Sequence, residues 1–159
     1  MVPDPDVPGL PSVAPRLLSP SGLFVVGLLV FASPSVSHAQ SLPDNPLPPC
    51  PDTPNCERTA RAYDVPPDTL FVAAQRALES LGPTTLRLSD RPHGRRAEAM
   101  YRVALIFKDD VDVAVKGLDD GGSALYVRSA SRVGYSDLGV NRRRVGRLFQ
   151  AVDRALDDR

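Results

Sequence analysis

The chain has 159 residues, 42% of them apolar and 24% charged, with two cysteines and no tryptophan, enough for one domain and too little for two independent cores. Lys plus Arg equal Asp plus Glu at 19 each, which removes both the basic footprint of a nucleic-acid binder and the acidic one of a solvating tail. Two cysteines and a single short apolar run also exclude a metal-thiolate framework, a disulfide-dense miniprotein and a polytopic membrane protein.

Proline divides the chain, since 13 of its 17 prolines lie at or before Pro54. Such a segment lacks backbone donors for helix or ladder and reads as targeting sequence and linker. Within it Gly22 to Ala32 is an unbroken apolar run, preceded by Arg16 and followed by SPSVSHAQ. That is the plan of a signal peptide over residues 1–39, with small residues at Ser37 and Ala39 and cleavage before Gln40. A membrane anchor needs about 20 apolar residues, so no stable span is expected after cleavage. The protein is therefore expected to be exported, to a periplasm or to the extracellular space. Residues 40–62 read as a Pro-rich linker carrying the Cys50/Cys56 loop, and 63–159 as a single α+β domain. Between the cysteines PDTPN is rich in turn formers, and an oxidising compartment favours a Cys50–Cys56 disulfide over a zinc site that has no nearby histidine.

From Pro66 the pattern becomes periodic. Leu70, Phe71, Ala74, Ala77, Leu78 and Leu81 recur at steps of three and four, one stripe of a helix that starts on Pro66–Pro67 and stops at Gly82–Pro83. Period-two runs follow: Thr85 to Ser89, Arg96 to Leu105, a run with Val111, Val113 and Val115 on one side, and Ala124 to Arg132. Asp90 to Gly94 and Gly117 to Gly122 read as turns. A hairpin centred near Asp120 places Asp112 opposite Arg128. A second helix from about Leu138 to Leu156 carries Val145, Leu148, Phe149, Val152 and Leu156 as its stripe, with Asn141 on the same face. The expected architecture is a four-stranded antiparallel sheet with an N-terminal and a C-terminal helix packed on one face.

Hydrophobic pattern does not account for residues 128–142, RSASRVGYSDLGVNR. This segment leaves a strand, turns through Gly134 and enters the second helix with Asp137 as expected N-cap. Together with CPDTPNC at 50–56 and DDVDV at 109–113, the string VRSASRVGYSDLGVNRRR at 127–144 resembles the domain-of-unknown-function family numbered 1499, found in bacterial envelope and plant plastid proteins. The resemblance runs from about Pro49 to the C-terminus. It implies domain limits and the location of a site, and no activity.

The expected ligand-binding residues are Arg128, Ser129, Ser131, Arg132, Asp137, Asn141 and Arg142, and the expected structural residues Cys50, Cys56, Asp109, Asp110 and Asp112. Clustered carboxylates suit hard cations, but alternation puts Asp110 and Asp112 on the face of Arg128, which favours charge pairing, so neither metal nor cofactor is expected. Ser129 and Ser131 lack a base, His93 being a turn residue with no spacing tie to either. Arg128, Arg132 and Arg142 fit either an anion pocket at the amino end of the second helix or a structural network with the aspartates, and both readings stay open. For Asn141 a buried amide bonded to the CPDTPNC backbone is preferred. The tyrosines read as packing residues. The expected function is a non-catalytic envelope domain binding a partner, an unknown envelope protein, or a small anionic ligand through residues 128–142, with no nucleic acid. The alternative is a hydrolase-type enzyme using Asp110, Asp112 or Asp137, with or without a metal.

Overall fold

The computed structural model describes residues 42–91, 94–103 and 106–158; the expected signal segment, its cleavage point and His93 lie outside them. The elements in order are β1 (Cys56–Tyr63), α1 (Pro67–Ser80), β2 (Thr85–Arg91), β3 (Gly94–Val103), β4 (Phe107–Gly117), β5 (Ser123–Ser131) and α2 (Val140–Asp157). They make an α+β fold with one antiparallel sheet in the order β1-β5-β4-β3-β2.

The sheet has five strands, which corrects the expected four. The extra strand, β1, lies in the stretch read as linker. Its sequence CERTARAY shows no apolar alternation because it is an edge strand whose arginines are spent on tethers. Arg61 lies over the Phe149 ring of α2, 4.3 Å from its centroid, and reaches Asp153 at 2.9 Å.

α1 forms where the stripe of threes and fours predicts it. Prolines occupy its first turn, where a missing N–H costs nothing, and Asp68 sits at the positive end of its dipole. Leu70, Phe71, Ala74, Ala77 and Leu78 are buried, and they share one core with Val145, Leu148, Phe149 and Val152 of α2. The same core takes the odd-numbered strand residues Ala97, Ala99, Tyr101, Val111, Val113, Val115, Leu125 and Val127, here called the inner face of the sheet. The β2–β3 turn enters β3 at Gly94, whose φ of +126° and approach to the Val115 carbonyl, 2.3 Å from where a Cβ would stand, admit only glycine.

The outer face is covered differently. Leu47 is 3% exposed and packs with Ala114, Ala124 and Tyr126. Around it four side chains from four strands donate to main-chain carbonyls of the Pro-rich segment: Arg58 to Asn45 and Leu47, Arg96 to Pro46, Lys116 to Asp44 and Tyr126 to Pro43. A segment without ladder donors can still accept, so residues 43–47 form a strap rather than the expected free linker. Burial raises the Tyr126 phenol above its ordinary pKa, with the nearby Asp44 carboxylate adding to the shift.

Candidate functional site

β5 and α2 meet over a polar cluster set into the apolar core. Asn141, 1% exposed, uses its whole amide. Its Oδ1 accepts from Ser129 Oγ at 2.5 Å and Arg144 Nη1 at 2.9 Å, and its Nδ2 donates to the Asn55 carbonyl at 2.8 Å and to Ser131 Oγ at 3.0 Å. The preferred reading of Asn141 as a link to the CPDTPNC backbone is met by the contact with Asn55. That loop is closed by the Cys50–Cys56 disulfide. Asn55 also receives the Ser131 amide at 3.0 Å and donates to the Gly134 carbonyl at 2.6 Å, so one buried residue ties the disulfide loop to the end of β5 and the turn that follows.

Arg144, which the sequence reading passed over, is the cation of this cluster. Its guanidinium lies 2.8 Å from Asp109 Oδ2, both side chains being almost wholly buried, donates to Ser129 Oγ at 3.2 Å and stacks 5.0 Å from the Tyr101 ring centroid. Asp109 Oδ2 nevertheless accepts no hydrogen bond; it sits off the N–H line of Arg144, and the contact is one of charge alone. Tyr101, opposite Asp109 in the β3–β4 register, donates to the Leu78 carbonyl at 3.1 Å. Burial pushes its phenol up to about 12, against the pull of Arg144. Arg144 was recognisable in principle, since it falls three residues after Asn141 and four before Leu148, on the apolar stripe.

The other expected site residues part company. Arg128 lies on the outer face, alternating with Ser129, and its Nη1 contacts Asp112 Oδ2 at 3.3 Å in the expected register. It therefore does not converge with Asn141. Burial lifts the Asp112 carboxyl above its usual value, with Arg128 opposing. Arg132 donates to both oxygens of Asp110 at 2.8 Å, and this pair of hydrogen bonds raises its own pKa further. Arg142 reaches Glu57 of β1 at 3.5 Å. Each of the three arginines already holds a carboxylate, so they do not assemble the anion pocket. Asp137 is not the N-cap but stands two residues before it. Leu138 and Gly139 are both left-handed, at φ 52° and 76°, and Gly139 is the cap residue. From its displaced position Asp137 still accepts from the Gly139 and Asn141 amides, satisfying helix-end donors as a cap would.

Between the 133–140 loop and the facing ends of β3 and β4 lies a cleft of about 380 Å³. Asp109, Ser131, Asp137, Val103 and Val140 are its least exposed lining residues, and Phe107, Val133 and Leu138 form its rim. Among the described residues no Lys, Arg or His lines it. Leu138 is 85% exposed and Val133 57%, while Ile106 and Tyr135, next to lining residues in sequence, are 77% and 73% exposed. A larger cleft of about 620 Å³ opens at the other end of β3 and β4, but its Arg95 is held by Asp68 and Asp90, each at 3.3 Å. Among the described residues no group of three or more His, Cys, Asp or Glu is placed to hold a metal ion.

Fold and cluster together define a small α+β domain in which a disulfide loop, a strand end and a helix start are locked by buried polar bonds. The chain belongs to the family described as protein of unknown function, DUF1499, whose model matches residues 46–152. No curated protein matches the sequence. Among solved structures, that of Ara h 8.0201 is 13% identical at a TM-score of 0.38. A putative uncharacterized protein from Rhizobium leguminosarum is 14% identical at 0.39, and protein CV1439 from Chromobacterium violaceum 11% identical at 0.38. Each alignment covers 65% of this chain and 95% of the other.

Proposed function

We propose that the chain is an exported, non-catalytic envelope domain that binds a ligand in the cleft formed by its 128–142 segment. The observation that carries this reading is Leu138. A left-handed leucine costs about 1–2 kcal/mol, and one that is 85% exposed recovers none of it by packing. A strained, solvated apolar side chain on the rim of a cleft has its use in what the cleft takes up. The closed Cys50–Cys56 bridge supports export to an oxidising compartment, and no described helix is long and apolar enough to cross a membrane. The reading takes α1 and α2 to cover the inner face side by side, an arrangement supported by their common core with the odd-numbered strand residues.

An anion is the less favoured occupant, because the arginines expected to receive it are engaged. The hydrolase alternative loses its groups in the same way: Asp110 and Asp112 are held by Arg132 and Arg128, and Asp137 by backbone amides. The test is binding of Nile red, a neutral apolar dye, to the native protein. The dye is expected to bind with saturable fluorescence that Leu138→Gly sharply weakens, while the same change leaves the fold intact and raises its stability by about 0.5–1 kcal/mol through relief of strain. Equal binding by the variant overturns the reading.

A further inference from the structure

Resting on that reading, we infer that the cleft takes a small neutral molecule with an apolar body and one head group that both donates and accepts a hydrogen bond, a hydroxyl or a carboxamide. The body follows from Val103, Phe107, Val133, Leu138 and Val140, which give the cleft its walls and rim. Its volume of about 380 Å³ lies at the small end of the range for such sites.

The head follows from the polar groups of the floor. Asp109 is 2% exposed, and its Oδ2 has no hydrogen-bond donor, an omission that costs about 1–3 kcal/mol for a buried group. Ser131 accepts from Asn141 through Oγ, and among the described residues its own hydroxyl proton has no acceptor. Asp109 Oδ2 faces Arg144 at 2.8 Å and is sealed from the cleft. The bonding capacity that the floor presents is therefore that of Ser131, the residue paired with Asp109 in the β4–β5 register: its hydroxyl proton and the lone pair that Asn141 leaves open. A hydroxyl or primary amide can answer both at once.

Net charge on the ligand is disfavoured in either sign. An anion would face Asp109 and Asp137 with no cationic lining residue among the described ones to receive it. A cation would meet Asp109 already compensated by Arg144 at 2.8 Å, and a second positive charge beside a buried guanidinium is repelled at short range in a poorly screened site. A neutral dipolar head completes the hydrogen bonding without disturbing the charge pair.

The experiment is an NMR titration of the full protein with four probes that share one body and differ in the head: n-hexanol, hexanamide, hexanoate and n-hexylammonium. The two neutral probes are expected to shift the amide signals of Ser131 and of residues 133–140, and to bind at least tenfold more tightly than either ion. Ser131→Ala should weaken n-hexanol about fivefold, one net hydrogen bond, with dispersed spectra showing that the variant is folded. If hexanoate or hexylammonium binds as tightly as the neutral probes, or if Ser131→Ala binds n-hexanol unchanged, the head-group assignment is wrong while the cleft remains a binding site. If none of the four moves the cleft signals, the binding reading falls with it.

Discussion

Arg144→Met should be the most damaging conservative change in the polar cluster. The substitution keeps an unbranched apolar stem, and removes the guanidinium that stacks on Tyr101 and the charge that compensates Asp109. Asp109 is 2% exposed and already lacks a hydrogen bond on Oδ2, so the variant leaves an uncompensated buried charge. Breaking a pair in this way costs about 3–5 kcal/mol, a large share of the roughly 5–15 kcal/mol that holds a domain of this size. Asp109→Asn should cost less, because the guanidinium keeps the Asn141 and Ser129 oxygens at 2.9 and 3.2 Å and the Tyr101 ring at 5.0 Å. The double change Asp109→Leu with Arg144→Met removes both charges and should restore about 2 kcal/mol or more relative to Arg144→Met alone. Urea unfolding of the oxidised protein, wild type against these three variants and Asp109→Leu alone, measures all of these terms and closes the double-mutant cycle. Losses below about 1 kcal/mol for Arg144→Met, or additive losses in the double variant, would show that the pair is not coupled as its geometry requires.

Arg128→Ala should cost less than Arg144→Met, about 1–3 kcal/mol, because the Arg128 and Asp112 side chains keep 17% and 26% of their exposure; a loss as large as that of Arg144→Met in the same urea assay would refute this ranking. Asp112, with its carboxyl raised above 3.8 chiefly by burial, contributes stability that is complete below that value and lost as pH rises through its folded pKa. Because that contribution opposes the loss of stability on acidification, Asp112→Asn should steepen the acid limb of a Tm-against-pH curve, and an unchanged limb would count against the shift. Replacing Cys50 and Cys56 by serine should leave a folded domain weakened by about 2 kcal/mol, the entropy of closing so small a loop, and should speed amide exchange at Ser131, whose N–H is held by Asn55. Loss of cooperative melting would show the bridge to be worth more. Leu47→Ala should cost about 2–3 kcal/mol as a cavity in the small outer core, with calorimetry as the check.

What the sequence made legible follows from how each part is held. Strands β2 to β5 and both helices bury alternate or threefold-to-fourfold apolar residues, and periodicity reads them, including the register that sets Asp112 against Arg128. β1 escaped because an edge strand at this place puts charge on both sides, with Arg58 tied to the strap and Arg61 to α2. The strap escaped for a different reason: what it offers the sheet is its backbone carbonyls, and only Leu47 leaves a side-chain signal. Asn141 was legible as a polar residue on an apolar stripe. Arg144 lies on that same stripe, but a charged residue there reads as solvent-facing unless its partner, 35 positions earlier on β4, is known. The cleft was visible only as a polar segment, since its walls come from β3, β4 and the 133–140 loop, and their convergence is a property of the sheet.

The polar cluster also answers why this corner is not simply apolar. A core of leucines would hold α2 against β5 as firmly and at lower cost in desolvation, but it would leave the 133–140 loop free to choose its course. Asn55 and Asn141 make these bonds together only if the disulfide loop, the β5 end and the first turn of α2 stand in one arrangement, because the bonds run to different elements. A half-made network is worse than none, so alternatives are penalised by several bonds at once. That selectivity fixes the Gly134 turn and the two left-handed residues after it, and it holds Leu138 out in solvent against its own conformational preference. The strain in Leu138 and the bonding of Asn141 are therefore two ends of one device, and relaxing either should loosen the rim of the cleft while the sheet beneath it stays intact.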